Sequence, residues 1–427
     1  MKILTTIRNL AIFLLLCSLV SAPVGAQGPE MELVAKAPVK VGCLFPLTGS
    51  GGRYGHDSIA AIQIAREDIA SSKKSGYPEL DIEIRDTRSK TLRAVQIART
   101  FIERDKVRFL CGVVSSSIAM AVTRVARAKK AFFIGTDHAS PRLTEEALHP
   151  YYFRLTNGTR QSMRAGALYI KEHFAKKQPL KIAFVGPDYD YGYQAWKDLR
   201  YFLNKAGVSY EVTTEVWPKL FETDYSIHVH ALLDSKPDII VNGQWGLDLV
   251  TFVKQSKGLG LFDKATFMNF DAGGNFEVLS ELGEGMPLGL ILSARHHVNW
   301  PDTAENKSFV ERFRQRQGRF PSYAAEGAYA GIMAIAEALR LAGDQPDNDK
   351  IRKVLENLKL KLPEDPAGFS SYIDKKSHQI MQVQAIGKTV RNSSFPPAKI
   401  LLGDWKIYYP PKHWPSHKKA VESPKVK

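Results

Sequence analysis

The sequence predicts an α/β fold with two doubly wound parallel-sheet lobes joined by a multi-segment hinge. Short apolar stretches rich in β-branched residues alternate with amphipathic stretches of helical period, and this alternation runs through the chain twice. Extended stretches at residues 152–155 and 289–294 follow the first and second sets. Helices come after the second set, although the first lobe still needs them as cover. The chain should therefore pass between the lobes more than once, which is typical of a hinge that bends around a ligand.

The first lobe begins with a strand at Val39–Pro46 and a glycine-rich turn. A helix follows, with Ile62, Ala65 and Ile69 on one apolar stripe. Leu80–Asp86 alternates apolar and charged residues, which favours a strand near an edge, and an amphipathic helix comes after it. This order of elements indicates a parallel sheet with right-handed crossovers.

Two further strand–helix units form the centre of the first lobe. The apolar stretch Phe109–Val114 ends in three serines, Ser115–Ser117, and a helix follows. A second apolar stretch, Ala131–Ile134, ends in the small polar loop Gly135–Ser140, with Pro141 as a suitable first helical residue. Polar groups just past the ends of parallel strands line a crevice, where the N–H groups of helix starts attract anions.

The second set repeats the pattern after residue 155. Its predicted strands are Lys181–Val185, Tyr210–Val216, Asp238–Val241 and Thr266–Met268. Its predicted helices are Ser162–Phe174, Tyr193–Ala206, Tyr225–Asp234, Leu247–Lys257 and Asn275–Leu282. The later helices are Ala304–Gln317, Ala324–Ala342 and Asp347–Leu358. We therefore expect an N-terminal lobe (39–155 plus about 293–375), a C-terminal lobe (156–292 plus about 376–390) and a basic tail (391–427).

The N-terminus has the pattern of a secretory signal peptide over residues 1–26. Two basic residues precede the apolar run Leu10–Leu16, and small residues before Gln27 place the cleavage site after about Ala26. A retained lipid anchor at Cys17 is the alternative, but Leu16 stands where a lipoprotein motif needs a small residue. We expect an exported protein that acts in the periplasm.

Cysteine content and charge set further limits. Export permits a disulfide between Cys43 and Cys111, but a bridge between neighbouring parallel strands strains the geometry, so two buried free thiols are favoured. The formal net charge is +15, and residues 388–427 hold about half of it. That concentration favours a solvated tail over attraction to a membrane surface or partner, and no nucleic-acid partner is expected.

Three chemical functions are disfavoured. In Gly49–Gly55 the spacing of a dinucleotide-binding loop would require glycine at Tyr54. His228-Val-His230 lies in a predicted helix, where the two side chains point apart, and His296-His297 has no nearby acidic partner, so both pairs are expected on the surface and no metal site is predicted. A serine hydrolase using Ser115 and His138 stays open as a minor alternative, although the glycine-flanked nucleophile turn is absent.

The candidate ligand-binding residues share one topological position, just past the ends of predicted strands or at helix starts. They are Tyr54, Ser115, Ser116, Asp137, His138 and Ala139 in the first lobe, and Tyr191, Trp245 and Asp271 in the second. Hydroxyls and helix-start N–H groups suit a carboxylate, and carboxylates suit an ammonium. Aromatic faces suit apolar groups or a cation. These positions predict a small-molecule site between the lobes.

Six motifs in order resemble one family. They are VGCLFPLTGSGGRYG, GVVSSSIAMAV, SPRLT, KIAFVGPDYDYG, DIIVNGQWG and FMNFDAGG. The chain from about Val39 to Lys388 resembles the periplasmic solute-binding proteins of branched-chain amino acid ABC transporters, the leucine/isoleucine/valine-binding type. The resemblance implies a type I periplasmic binding fold with three crossovers and a closing cleft. It also implies no catalysis, no cofactor, a monomer, and delivery of ligand to an inner-membrane permease.

The resemblance also implies roles for individual residues. A serine at the position of Ser115 and the residue at Ala139 would bind the ligand carboxylate, and Asp271 would receive the ammonium. Tyr191 and Trp245 would line the ligand site on the side of the second lobe, and Tyr54 matches the family tyrosine of the first turn.

The chain departs from the family at the loop that precedes Ser140. Ala139 replaces a frequent threonine, and Asp137 and His138 replace small residues. Burying these polar groups unpaired would cost several kcal/mol, so a purely aliphatic ligand is disfavoured. We expect an amino-acid-like or amide-like solute, or an aromatic acid. A sensor that signals to a membrane receptor is the alternative to a transport protein.

Overall fold

The computed structural model describes residues 37–49, 51–176, 179–412 and 414. The predicted signal peptide lies outside these residues, as does most of the chain after residue 412. The described residues from Pro38 onward form one compact unit that contains two α/β lobes. Among the helices of the described ranges, none has the length and apolar character that a membrane span requires.

The first lobe is built on a sheet in which the described ranges supply eight strands, in the order β11-β12-β13-β5-β4-β3-β1-β2. Their bounds are β1 Val39–Phe45, β2 Leu80–Asp86, β3 Phe109–Gly112, β4 Phe132–Gly135, β5 Tyr152–Arg154, β11 Lys359–Leu360, β12 Ser371–Asp374 and β13 Gln379–Met381. The six strands from β13 to β2 are parallel, whereas β11 and β12 pair antiparallel at one edge. The prediction of a parallel sheet is thus correct for its centre.

The second lobe has a sheet with the order β15-β14-β10-β9-β8-β6-β7 within the described ranges. The bounds are β6 Leu180–Val185, β7 Tyr210–Val216, β8 Ile239–Asn242, β9 Thr266–Asn269, β10 Ile291–Ser293, β14 Gln384–Arg391 and β15 Ile400–Tyr408. β6 to β10 are parallel, and β14 and β15 are antiparallel. In both sheets, therefore, antiparallel strands from late in the chain lie at one edge, beside the parallel strands that the sequence predicted.

Helices cover both sheets. Their bounds are α1 Gly52–Ala70, α2 Thr91–Glu103, α3 Ser116–Lys129, α4 Thr159–Phe174, α5 Asp190–Ala206, α6 Ser226–Asp234, α7 Gly246–Gly258, α8 Phe276–Leu282, α9 Ala304–Gln317, α10 Tyr323–Ala342 and α11 Asn348–Leu355. The predicted apolar stripe of α2 is buried at Ala94, Ile97, Ala98 and Phe101. α9 and α10 pack on α1, so the late helices do cover the first lobe.

Within the described ranges the chain passes between the lobes three times. It leaves the first sheet after β5, returns from β10 to α9, and leaves again between β13 and β14. These three connections are the multi-segment linkage between the lobes that the sequence predicted.

The expected lobe boundaries and tail need correction near the C-terminus. Gln379–Met381 belongs to the first sheet, although residues from about 376 were assigned to the second lobe. Ile400–Tyr408, expected in a solvated tail, forms a strand that pairs with β14. Ile400, Leu401 and Leu402 are buried there. The strand was not predicted because the many lysines around it made this part of the sequence resemble a solvated tail.

Cys43 and Cys111 form a disulfide, and the expectation of two free thiols was wrong. The two residues are direct partners in the register of β1 and β3, and their Cα atoms lie 4.5 Å apart. This separation is within the range that a disulfide spans. The two cysteine side chains can therefore meet because Cys43 and Cys111 are paired directly across the two strands. Cysteines offset along the strands would lie too far apart.

Candidate functional site

The loops that follow the central strands of both sheets enclose a cavity between the lobes. Its volume is about 310 Å³, including the part open to solvent. The residues around it are Val114, Ser116, Asp137, His138, Ala139, Tyr189, Tyr191, Trp245, Ala272, Arg295 and Tyr323. Six of the nine predicted site residues are among them. Of the others, Tyr54 packs on Trp245, Asp271 lies behind Arg295, and Ser115 is a half-buried residue before α3 that does not line the cavity.

A buried ion pair forms the floor of the cavity. Arg295 Nη2 lies 2.7 Å from Asp271 Oδ2, and Arg295 Nε lies 3.3 Å from Asp271 Oδ1. Asp271 also accepts hydrogen bonds from the hydroxyls of Ser162 at 2.6 Å and Tyr191 at 2.8 Å. A carboxylate offers about four acceptor positions, so these four donors saturate Asp271. Burial raises the pKa of Asp271, but Arg295 and the two hydroxyls outweigh it and hold that pKa below its usual value.

Asp137 is buried across the cavity from this ion pair. Its Oδ1 forms a long ion pair with Arg295 Nη1 at 3.7 Å, and the side chain of Tyr323 is close enough to lower the pKa of Asp137. Neither carboxylate oxygen has a hydrogen bond of good geometry to another described residue. Arg295 Nη1 donates instead to the backbone carbonyl of Asp137. Burial raises the pKa of Asp137 to about 7, against the lowering influence of Arg295. Asp137 therefore offers a ligand an unused acceptor.

His138 is occupied by the protein itself. Its Nδ1 lies 2.8 Å from the carbonyl oxygen of Val113, which can only accept, so Nδ1 carries the proton. Nε2 lies 2.8 Å from the hydroxyl of Tyr152 and accepts from it. Burial lowers the pKa of His138 to about 3, so the ring is neutral at physiological pH. With both nitrogens engaged, His138 cannot serve as a base for Ser115, which removes the hydrolase alternative.

The start of α3 faces the cavity through Ser116. Its Oγ accepts a hydrogen bond from the backbone N–H of Ser140 at 3.2 Å, which leaves the hydroxyl proton for a ligand. Ala139 is buried beside it. Helix N-termini attract anionic groups, so this wall of the cavity suits a carboxylate.

Aromatic rings from both lobes surround the cavity, and one of them, Tyr323, packs against Arg295. The ring of Tyr54 lies 6.0 Å from Trp245 and 5.5 Å from Tyr323, between ring centroids. Trp245 Nε1 donates to the hydroxyl of Tyr189 at 3.0 Å, and Tyr189 packs on Tyr191. Tyr54 and Tyr323 belong to the first lobe, whereas the other three belong to the second, so the rings join the lobes.

Polar contacts also link the lobes across the cleft, and they include an ion pair between Arg160 and Glu145 at 2.9 Å. The hydroxyl of Tyr54 donates to Glu277 Oε1 at 3.2 Å, and Arg142 Nη1 lies 3.0 Å from Asp190 Oδ1. The structure thus has the lobes in contact around the cavity.

Two residues central to this geometry were missed from the sequence. Arg295 follows the extended stretch of β10, and Tyr323 is the first residue of α10. The guanidinium carbon of Arg295 lies 4.9 Å from the ring centre of Tyr323. The one available signal was an arginine directly after an apolar strand, the position that identified the other candidates.

The prediction for His296 and His297 was wrong, because both are buried. His296 Nε2 lies 2.9 Å from Asn306 Oδ1, and the ring of His297 packs on Trp405. Burial lowers their pKa values to about 4 and 3, so they act as neutral core residues. In the described part of the chain, no group of three or more His, Cys, Asp or Glu side chains is arranged to hold a metal ion.

Comparison with known proteins agrees with this architecture. The Leu/Ile/Val-binding protein homolog 7 of Brucella suis is 26% identical over 318 residues, which are 71% of this chain and 77% of that protein. A solute-binding protein of an ABC transporter from Rhodopseudomonas palustris, solved with 3,4-dihydroxybenzoic acid, superposes with a TM-score of 0.74 at 22% identity. That match covers 87% of this chain and 97% of the other.

A leucine-binding protein from Thermotoga maritima superposes with a TM-score of 0.71 at 19% identity, covering 87% of this chain and 99% of the other. At these identities the two structures show the shared fold. The relatives and structural neighbours are solute-binding proteins and not enzymes, which agrees with the prediction that this chain is not an enzyme. The family model described as periplasmic binding protein matches residues 38–392, and the chain therefore belongs to the periplasmic binding protein family.

Proposed function

We propose that this chain is the periplasmic binding component of an ABC importer, and that its solute is a 2-hydroxy acid with an apolar or aromatic substituent. The saturation of Asp271 by Arg295 and two hydroxyls supports this proposal most directly. Asp271 was expected to receive the ammonium of an amino acid. It has no acceptor position left for one, and an ammonium there would meet the positive charge of Arg295.

The solute carboxylate would lie between Arg295 and the start of α3. A guanidinium has five N–H donors, and the described partners of Arg295 use three of them. The remaining N–H on each terminal nitrogen can donate to a carboxylate, as can the hydroxyl of Ser116. Charge-assisted hydrogen bonds of this kind are about twice as strong as neutral ones.

Asp137 would accept a hydrogen bond from the group next to the carboxylate. Its Oδ1 is only 3.7 Å from Arg295 Nη1, so a ligand that contacts both residues needs its two polar groups close together. An α-hydroxyl meets this requirement. An α-ammonium would too, but it would approach the Arg295 cation, which lies 3.7 Å from Asp137.

The structural neighbours are compatible with such an acid. One was solved with 3,4-dihydroxybenzoic acid and another is described as a leucine-binding protein, so the fold accepts both ring acids and amino acids. The side chains of this cavity support the choice of an acid without an ammonium group. Tyr191, Trp245 and Tyr323 supply apolar faces for the substituent.

Three ligands that differ only at the second carbon test this proposal. Phenyllactate, phenylalanine and phenylpropionate carry a hydroxyl, an ammonium and a hydrogen there. Calorimetry on the exported mature protein should give the tightest binding for phenyllactate, with phenylpropionate roughly tenfold weaker because Asp137 is left unpaired. Phenylalanine should bind weakest. Tighter binding of phenylalanine than of phenyllactate would overturn the assignment.

Capture by hinge closure, a monomeric state and delivery to a membrane permease belong to the same proposal. The three connections between the lobes and the interlobe polar contacts, such as Tyr54 with Glu277 and Arg142 with Asp190, support closure around a solute. Small-angle scattering should show a more compact protein after phenyllactate is added, and size exclusion should show a monomer. An unchanged scattering profile at saturation would contradict closure on binding.

A further inference from the structure

A second cavity, here called the outer chamber, lies on the other side of the Tyr54 and Trp245 rings from Arg295. Its volume is about 760 Å³, including the part open to solvent. The first turn of α1 and the starts of α7 and α8 surround it, so both lobes contribute. Most of its wall is apolar, from Tyr54, Trp245, Leu247 and Val250. The cavity beside Arg295, at about 310 Å³, is smaller and leaves little room for a long substituent.

One buried polar group in the outer chamber has an unused acceptor. Glu277 is 6% exposed, and its Oε1 accepts from the hydroxyl of Tyr54. Its Oε2 has no hydrogen-bond partner in the described ranges. Burying an unpaired carboxylate oxygen is unfavourable, so a donor from a ligand would stabilise it. Arg53, Asp248 and Glu281 also line the chamber. The charge of Arg53 already acts on Glu277 and counteracts the effect of burial on its pKa, so Oε2 lacks a hydrogen-bond donor rather than a cation.

A row of rings connects the two cavities. The guanidinium of Arg295 lies over the ring of Tyr323, the ring of Tyr323 lies 5.5 Å from that of Tyr54, and the hydroxyl of Tyr54 reaches Glu277. A ligand that follows this row would have its carboxylate at one end and its far end beside Glu277. The edge contact of Tyr54 with Trp245 must open to admit it.

We propose that the outer chamber is a subsite for the distal end of the solute, which is an apolar group that ends in a neutral hydroxyl donor to Glu277. This proposal depends on the proposed function, because it assumes that the acid end is held at Arg295. It narrows the solute class to elongated hydroxy acids with a second hydroxyl at the far end.

Phenyllactate and its para-hydroxyl derivative form the test pair. In the wild-type protein the para-hydroxyl should tighten binding by roughly tenfold. In Glu277→Gln the ratio of the two affinities should fall to less than about twofold, whatever the absolute affinity of phenyllactate in that variant. Glutamine keeps an oxygen for the Tyr54 hydroxyl, and circular dichroism checks that the variant folds.

Leu247→Trp provides a second test that does not touch Glu277. Leu247 is 62% exposed, so a larger side chain can be added at the chamber without disturbing the core. Leu247→Trp should weaken binding of the para-hydroxyl derivative at least tenfold. Leu288→Trp is the control and should leave this binding unchanged, because Leu288 is exposed and lies away from the chamber. A para-hydroxyl that adds no affinity in the wild-type protein would overturn the subsite. A preference for phenylalanine over phenyllactate would instead overturn the proposed function, so the two failures are distinguishable.

Discussion

Asp137 and Asp271 follow central strands of opposite lobes, are equally buried and both face Arg295, yet their surroundings differ. Asp271 has four donors within 3.3 Å and a pKa below its usual value. In the described ranges the carboxylate of Asp137 has only a long ion pair with Arg295 and the nearby side chain of Tyr323, without a hydrogen bond of good geometry, and burial raises its pKa to about 7. Equal burial thus produces opposite pKa shifts, because the number of donors differs.

This difference assigns distinct roles to the two carboxylates. A saturated, ionised carboxylate holds the arginine in place, whereas one without a hydrogen bond of good geometry is available to a ligand. We therefore expect substitutions at the ion pair to affect folding, and substitutions at Asp137 to affect pH dependence and ligand choice. Four variants test this, in order of expected effect.

Replacement of the shared arginine should have the largest effect. Arg295→Leu leaves two carboxylates buried without their cation, which should lower the free energy of unfolding by about 3–5 kcal/mol. Urea unfolding measures the loss. Arg314→Leu is the matched control, because Arg314 forms an exposed i,i+3 pair and its loss should cost less than about 1 kcal/mol. Equal losses in the two variants would contradict a central role for Arg295.

Asp271→Asn should have a smaller effect, about 2–3 kcal/mol. The amide cannot accept all four donors, but Asp137 remains 3.7 Å from Arg295 and can act as its counterion. In this variant the pKa of Asp137 should fall, because Arg295 no longer shares its charge with Asp271. Urea unfolding as a function of pH measures both changes. A loss as large as that of Arg295→Leu would show that Asp137 does not compensate.

Asp137→Asn should change how stability depends on pH. Between a usual aspartate pKa near 4 and about 7, the folded wild-type protein holds a proton at Asp137 that the unfolded chain has lost. Wild-type stability should therefore fall as pH rises through this window. The charged and titratable groups nearest Asp137 are Arg295, Tyr323, Asp271 and Glu277.

Asparagine removes this contribution, so the variant should match the wild type near pH 4 and exceed it at pH 8 by roughly 1–3 kcal/mol. Glu277, whose pKa burial raises to about 7, titrates in both proteins, so only its charge interaction with Asp137 enters the difference. Thermal unfolding of the two proteins across this pH range supplies the measurement. Parallel curves would show that Asp137 ionises normally in the fold.

Removal of one hydroxyl should have the smallest effect. Tyr191→Phe deletes one of the four donors to Asp271 and should cost about 1 kcal/mol. Tyr193→Phe is the control, because its hydroxyl bonds the exposed Asp188 and its loss should be close to neutral. If the buried and exposed variants lose the same stability, saturation of Asp271 is not important for the fold.

Much of the fold could be predicted because its signals are local. Strand lengths and amphipathic stripes placed nearly every element of the parallel series, and helix Ala304–Gln317 was predicted to the residue. The antiparallel edges were not predicted. Pairings such as Ile400–Tyr408 with β14 depend on register between strands, which hydrophobic period alone does not specify. The Cys43–Cys111 disulfide was missed for the same reason.

The site was predictable to the extent that it follows topology. Residues after central strands, such as Asp137 and Trp245, could be placed at the cleft from strand order. Arg295 and Tyr323 come from segments after the second set of strands, and their position depends on how the chain returns to the first lobe. Since the ammonium assignment for Asp271 ignored Arg295, the sequence could identify the residue but not its partners.

The final strand has a practical consequence for protein production. The family match ends at residue 392, and an expression boundary placed there would remove Ile400–Tyr408. The shortened protein would lose the contact of Tyr408 with Glu172 and leave the β14 edge without its outer neighbour. Unpaired strand edges promote aggregation. Insoluble material from such a truncation would reflect a missing strand rather than an unstable ligand site.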